Sequence, residues 1–349
     1  MLLNGAKYFL PLIFVITGTS LVQAQFYSGA ELRTHEYFQY GRFETRLKTP
    51  QGEGFLASFF TYNDSFPETD WCEIDFEVLG RWSDNVDVNV IDERGSHLRQ
   101  HPIDYNPHIG FHNYAFEWTP DYVAWFIDGE EFYRQSGEHI TTLSQTAKLM
   151  MNVWTPSYTD WVGFIDPSTM PRYAYYDWVS VATYTPGTGS IGTDSNFSPL
   201  WTDNFDAYND SLWEKSDNHT WNGNNSVLMA ENIVYEDGYM ILCLTRPGSE
   251  GYNDTNAPSI LWARAHSSDS VIIRFSEELD VDHTNQSTIF SIPNHPISSV
   301  VLNQDQRTVE LSIEGLDISS TATVYAQNVL DQSVNGNSQA VAFTSIIMP

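Results

Sequence analysis

From residue 40 onward the chain alternates apolar and polar residues at a period of two, in short runs broken by turn residues, and no long stretch carries a helical period. Residues 40–48, 55–62, 72–79, 86–91, 113–118, 122–127 and 148–154 all read as strands. Asp128-Gly129 and the Gly-rich stretch 50–54 mark turns between them. Many strands at short intervals leave few solutions other than an all-β sandwich or jelly roll. Aromatics at 14% support this reading, because rings pack well on pleated surfaces.

Composition also narrows the partners. The 45 acidic against 16 basic residues give a net charge of -29, which repels nucleic acid and anionic lipid and offers no steering toward acidic polymers. A neutral substrate is the natural partner; neither a nucleic acid nor a membrane is expected, and the chain reads as a monomer. Residues 1–24 read as an export signal: Lys7, then the apolar run 8–16, then small residues at 22–24. The product is therefore expected to be secreted. Cys72 and Cys243, the two cysteines, lie in apparent strands and read as buried thiols.

Residues 185–199, rich in Gly, Ser, Thr and Pro, look like a flexible linker. The segment 201–245 holds too few strands to close a sandwich alone, so it is expected to complete the first one. Residues 25–250 then form one domain with an internal linker at 185–199, 251–268 a second linker, and 269–349 a small Ig-like sandwich of short alternating strands.

The chemistry is concentrated in Trp71-Cys72-Glu73-Ile74-Asp75-Phe76-Glu77. Strand side chains alternate faces, so Glu73, Asp75 and Glu77 share one face while Cys72, Ile74, Phe76 and Val78 face the core. Three neighbouring carboxyls repel, which raises at least one pKa and keeps one acid protonated near neutrality. Glycoside hydrolysis needs such a set: a carboxylate and a carboxylic acid acting on one glycosidic bond. The Cα atoms of Glu73 and Glu77 are roughly 13 Å apart along a strand, whereas retention needs carboxyls about 5 Å apart. Retention therefore requires both long side chains to lean inward over Asp75. A solvated acidic face or a cation site fits the same spacing.

The stretch Trp71 to Gly80 resembles the Glu-x-Asp-x-Glu signature of glycoside hydrolase family 16, in the form found in the lichenase and xyloglucan-active branch. Tyr40-Gly41-Arg42-Phe43-Glu44, Phe111-His112-Asn113-Tyr114, Met150-Met151-Asn152-Val153-Trp154 and Tyr176-Asp177-Trp178-Val179 are similar to lichenase segments in family order. A segment that opens most lichenases, here 201–242, follows the linker instead, so the chain resembles a circularly permuted bacterial lichenase with a C-terminal bacterial Ig-like domain. Permutation is easy where the original termini lie close together.

The resemblance implies a concanavalin-like jelly roll with an open cleft and a secreted endo-β-glucanase. That enzyme would cut β-1,4 bonds of mixed-linkage β-1,3-1,4-glucan, a neutral polysaccharide, with retention. Xyloglucan- or β-1,3-glucan-active relatives, and a non-catalytic sugar-binding module, are the alternatives. By family position Glu73 is the nucleophile, Asp75 its assistant and Glu77 the acid/base. Trp71, Trp154 and Trp161 are candidate sugar platforms, although a lone Trp more often belongs to the core, and Lys215 and Trp221 are expected to reach the cleft. Asn89 and Asn152 are candidate contacts to sugar hydroxyls, and Phe26, Glu31 and Tyr40 are expected to edge the cleft. Asp87 stands where a permuted relative carries an amide. The resemblance also implies a structural Ca²⁺ held by Asp177, Asn204 and the carbonyl of Gly238, hard oxygen ligands of the kind calcium takes; no cofactor is expected for catalysis.

Overall fold

A computed structural model describes residues 27–236, 238–253, 257–277, 279–284, 286, 288–303, 307–319, 321–331 and 337–348. The expected export signal and Phe26 lie outside the described residues. The strands of the first two sheets run, in chain order, β1 (Tyr27–Phe38), β2 (Gly41–Lys48), β3 (Leu56–Tyr62), β4 (Cys72–Leu79), β5 (Asn85–Asp92) and β6 (Gly95–Ser96). Then follow β7 (Arg99–Pro102), β8 (His112–Trp118), β9 (Tyr122–Ile127), β10 (Glu130–Ser136), β11 (Ala147–Trp154) and β12 (Arg172–Tyr184). The last are β13 (Phe197–Asp203), β14 (Trp213–Lys215), β15 (Ser226–Leu228), β16 (Ile233–Glu236) and β17 (Tyr239–Leu244).

The protein is an all-β sandwich. One sheet has the order β14-β1-β11-β3-β4-β5-β6, with β15 and β7 attached to β1 and β5. The other has the order β10-β9-β8-β2-β12-β17-β16, with β13 attached to β12. Strands from residues 197–244 thus join both sheets, β14 and β15 in the first and β13, β16 and β17 in the second. Between the sheets lies one apolar core. Phe76 meets Tyr114 at 4.8 Å and Phe59 meets Phe116 at 5.5 Å, rings of one sheet against rings of the other. Cys72 and Cys243 are free and buried.

The turn signals act as the physics requires. Asp128 (φ 49°) and Gly129 (φ 86°) both take left-handed backbone and join β9 to β10 in a two-residue hairpin. Gly80 ends β4 where a Cβ would lie 2.3 Å from the Gly52 carbonyl oxygen, so no larger residue fits.

Two expected linkers are partly strand. Within 185–199 the chain folds back on itself through bonds such as Thr185 N–H to Asn196 O and Ser190 N–H to Phe197 O, and β13 begins at the fully buried Phe197. It is an ordered turn, not a free tether. The stretch 251–268 contains Ile260–Ser267, which pairs with Ser270–Phe275 and Ser338–Ile347 in a seven-stranded third sheet. Ala263 and Ala265 enter that sheet's own core, so the third unit begins before residue 269.

Candidate active site

Strand register assembles the site. Across the first sheet, Glu31 (β1) pairs with Asn152 (β11), Asn152 with Ser58 (β3), Ser58 with Glu77 (β4), Glu77 with Asp87 (β5) and Asp87 with Gln100 (β7). The next row on the same face holds Arg33, Met150, Phe60, Asp75 and Asn89, and the next Lys148, Tyr62, Glu73 and Ile91. The three acids therefore share one face, while Cys72, Ile74, Phe76 and Val78 lie in the core between the sheets. Beneath them, Trp125 Nε1 donates to Asp75 O at 2.9 Å and Tyr176 OH to Ser58 O at 2.8 Å. The opposite sheet thus pins the acid strand and its neighbour from below.

Indoles flank the acids at both ends. Trp71 Nε1 donates to Glu73 Oε2 at 2.6 Å, and its ring lies against Phe66 at 4.6 Å and Tyr62 at 6.1 Å. At the far end Trp154 meets Trp221 at 5.0 Å and Trp161 at 6.4 Å over Leu56 and Leu79. Trp154 keeps only 9% of its surface accessible. Trp161 and Trp221 are half-buried and present the open rings, with Trp154 as their support.

The polar groups form a connected set. Asn89 Oδ1 accepts from Ser96 Oγ at 3.0 Å, which leaves its amide nitrogen to bond Asp75. Glu31 accepts from Ser216 Oγ at 2.7 Å and from Asn152 Nδ2 at 3.5 Å. Trp161 Nε1 donates to Asp87 Oδ2 at 3.0 Å. Two buried acceptors, Asn152 Oδ1 and Asp87 Oδ1, have no hydrogen-bond partner. Each such orphan costs about 1–3 kcal/mol unless a ligand or water donates to it.

Electrostatics set the acids apart. Glu73 and Glu77 keep part of their surface open above the sheet but sit deep enough to lose much of their hydration. Burial raises Glu73 to about 7, against hydrogen bonds from Trp71 and Asp75 that lower it. Asp75 is pushed well above the carboxylate range by burial and then by its two acidic neighbours. Glu77 is pushed well up by burial, then by Asp87, then by Glu73. Glu73 accepts from Trp71 and Asp75 whereas none of the described residues donates to Glu77, so the donors favour the anion at Glu73 over Glu77. One carboxylate beside one carboxylic acid is the equipment for splitting a glycosidic bond.

Two expected substrate residues lie elsewhere. Tyr40, with φ 63° in the turn after β1, packs edge-on against Trp118 at 5.3 Å and Tyr184 at 6.2 Å, at the core end of the second sheet. Lys215 pairs with Leu32, whose side chain faces the core, so it points away from the acids; its Nζ donates to Ile233 O at 2.7 Å below Tyr208 and Tyr235. Glu214, one residue earlier, is the β14 side chain on the acid face. Ser58, Phe60, Tyr62 and Gln100 were not anticipated; only the period of two within β3 and β7 marks them.

The expected calcium positions converge on β12. That strand pairs with β17 up to Tyr176–Met240 and with β13 from Val179–Asp203. Asp177 lies at the switch, Gly238 just before β17 and Asn204 just after β13. The Asp177 carboxylate is paired with Arg46. Among the described residues no group of three His, Cys, Asp or Glu gathers in metal-binding reach.

The chain is similar to known proteins. The family "Glycosyl hydrolases family 16" matches residues 13–180. A β-glucanase of Fibrobacter succinogenes is 39% identical over 242 residues, covering 67% of this chain and 68% of that protein. A β-glucanase of Brevibacillus brevis is 35% identical over 167 residues, 47% of this chain and 62% of that one. Among solved structures, a Bacillus licheniformis β-glucanase is 30% identical over 43% of this chain and 69% of its own, with a TM-score of 0.40. Because the family match includes the acid strand and the Fibrobacter alignment spans two thirds of both chains, this chain belongs to family 16 of the glycosyl hydrolases and is a glycoside hydrolase.

Proposed function

We propose that the protein is a secreted endo-β-glucanase that hydrolyses β-1,4 bonds of mixed-linkage β-1,3-1,4-glucan with retention. The observation that carries this is the row Glu31, Asn152, Ser58, Glu77, Asp87, Gln100, which crosses the sheet on the acid face and contains two buried acceptors awaiting donors. Hydroxyls of a neutral sugar chain lying along that row are such donors, and the half-buried indoles at either end give its rings apolar faces. The names of the relatives, β-glucanases, support the same substrate class.

Glu73, ionised and oriented by Trp71 and Asp75, attacks the anomeric carbon. Glu77 gives its proton to the departing glycosidic oxygen as the C–O bond breaks. Glu77, now a carboxylate, then takes a proton from water; the water oxygen bonds the anomeric carbon and Glu73 is released. Asp75, kept protonated by burial between two acids, donates to Glu73 and holds its orientation.

We further propose a calcium ion on the hard oxygens of Asp177, Asn204 and the Gly238 carbonyl, for which Asp177 would have to give up Arg46. It would tie β12, β13 and β17 together, away from the acids, and so serve stability.

Incubation with lichenan, laminarin, xyloglucan and carboxymethylcellulose tests the substrate. Trisaccharides and tetrasaccharides released from lichenan alone, with the anomeric configuration retained by NMR, are expected. Release from laminarin or xyloglucan instead would reassign the substrate within the family, and binding without release from any polymer would make the chain a sugar-binding module.

A further inference from the structure

A further acid faces Glu77. Asp87 is the direct antiparallel partner of Glu77, on the same face of the sheet, and keeps 2% of its surface accessible. Opposed strand positions bring Cβ atoms to about 5 Å, where like charges destabilise the pair. With bulk water largely excluded, one of the two must hold a proton.

The neighbours decide which. Burial raises the Asp87 carboxyl too, but Asp87 receives a hydrogen bond from Trp161 Nε1 at 3.0 Å and has Gln100 as its partner on β7, and such a donor favours the anion. Among the described residues none donates to Glu77. The acids facing Glu77 are Glu73 and Asp75 along its own strand and Asp87 across the ladder, and its partner on β3 is the uncharged Ser58. After burial, Asp87 is the largest influence lifting the Glu77 carboxyl, ahead of Glu73.

We propose that Asp87 is a positioning residue for the general acid: as an anion directly opposite Glu77, it keeps the catalytic proton there until the leaving oxygen takes it and so sets the alkaline limit of turnover. The proposal rests on the reading of Glu77 as acid/base. The same repulsion serves the second half of the reaction. Once Glu77 has given up its proton, two opposed carboxylates make it a stronger base toward the incoming water. Trp161, by holding Asp87, links the indole wall to the acid.

The test is the pH dependence of kcat/KM on glucan for the parent and Asp87→Asn, whose amide oxygen can still accept from Trp161. A charge about 5 Å away in a partly buried site moves a carboxyl by about one to two pH units. The alkaline limb should therefore move to lower pH by that much, with the acidic limb and melting temperature in place. A dinitrophenyl oligoglucoside, whose leaving group departs without a proton, should be slowed less than glucan by the variant and should show no shift of its alkaline limb. An unmoved alkaline limb overturns the proposal, as does an equal slowing on both substrates, which would make Asp87 a sugar contact only. Glu77→Gln run alongside separates the two readings. If it keeps its rate on glucan, the acid/base assignment fails and the proposal with it; if it loses glucan hydrolysis but still releases dinitrophenol, only the role of Asp87 is in question.

Discussion

Replacing Glu73 by glutamine should abolish activity and stabilise the protein, but only at alkaline pH. Burial lifts the Glu73 carboxyl from its ordinary 4.5 to about 7. In the unfolded chain the same group ionises near 4.5, so between these values the folded state holds more protons than the unfolded one. Stability from this group is complete below pH 4.5 and is lost as pH rises through 7. About 2.5 pH units at about 1.4 kcal/mol each set an upper bound of about 3.5 kcal/mol. The real cost is smaller, because Glu73 shares a hydrogen bond with Asp75 and keeps some surface open.

Glutamine cannot ionise, and its amide oxygen can still accept from Trp71 Nε1. The variant should therefore escape that loss at pH 8 and gain nothing at pH 4. About 1 kcal/mol moves the melting temperature of a domain this size by about 2–4 °C, so Glu73→Gln should melt about 5 °C above the parent at pH 8 and level with it at pH 4. Turnover on lichenan should fall by about a thousandfold or more. Calorimetry at pH 4, 6 and 8 with parallel product assays decides the matter. Melting curves that keep a constant separation across that range, or a variant with more than a few per cent activity, would refute the reasoning.

Trp71→Phe keeps the ring and removes the 2.6 Å donor to Glu73; kcat should fall about tenfold and the acidic limb of kcat/KM should move to higher pH, and an unmoved limb would show that the indole N–H does not tune the nucleophile. Lys215→Met should leave KM and kcat unchanged and lower the melting temperature by a few degrees, since the ammonium bonds Ile233 O away from the acids; a several-fold rise in KM would return Lys215 to the substrate side. Chelation by EDTA should lower the melting temperature while the initial rate at 25 °C persists, and identical curves with EDTA and with added calcium would remove the site at Asp177.

How much was legible in the sequence depended on the range of the interaction. β4 and β9 match their expected limits, because alternation with one face in the core is a local pattern. β1 escaped notice because its first six residues are all buried, which erases the period of two. Ile260–Ser267 was missed for a different reason: its inward residues are Ala263 and Ala265, too small to mark a hydrophobic face. At 185–199 the Gly, Ser, Thr and Pro composition suggests a free linker and conceals both the ordered turn and the start of β13, whose one deep anchor is Phe197. Lys215 was misplaced by a single step of parity; in a three-residue strand only pairing with β1 decides which side chains face the acids.

That Glu73, Asp75 and Glu77 share a face was determined by the sequence alone, since it follows from the pleat of one strand and needs no partner. Which groups surround them was decided only by the tertiary structure. Pairing set Asp87 against Glu77 and brought Glu31 beside Asn152 across 121 residues of chain, and the indole walls closed over the ends. The order in which the acids ionise belongs to that second level, because it depends on lost hydration and cross-strand charge, neither of which exists until the sheets have formed.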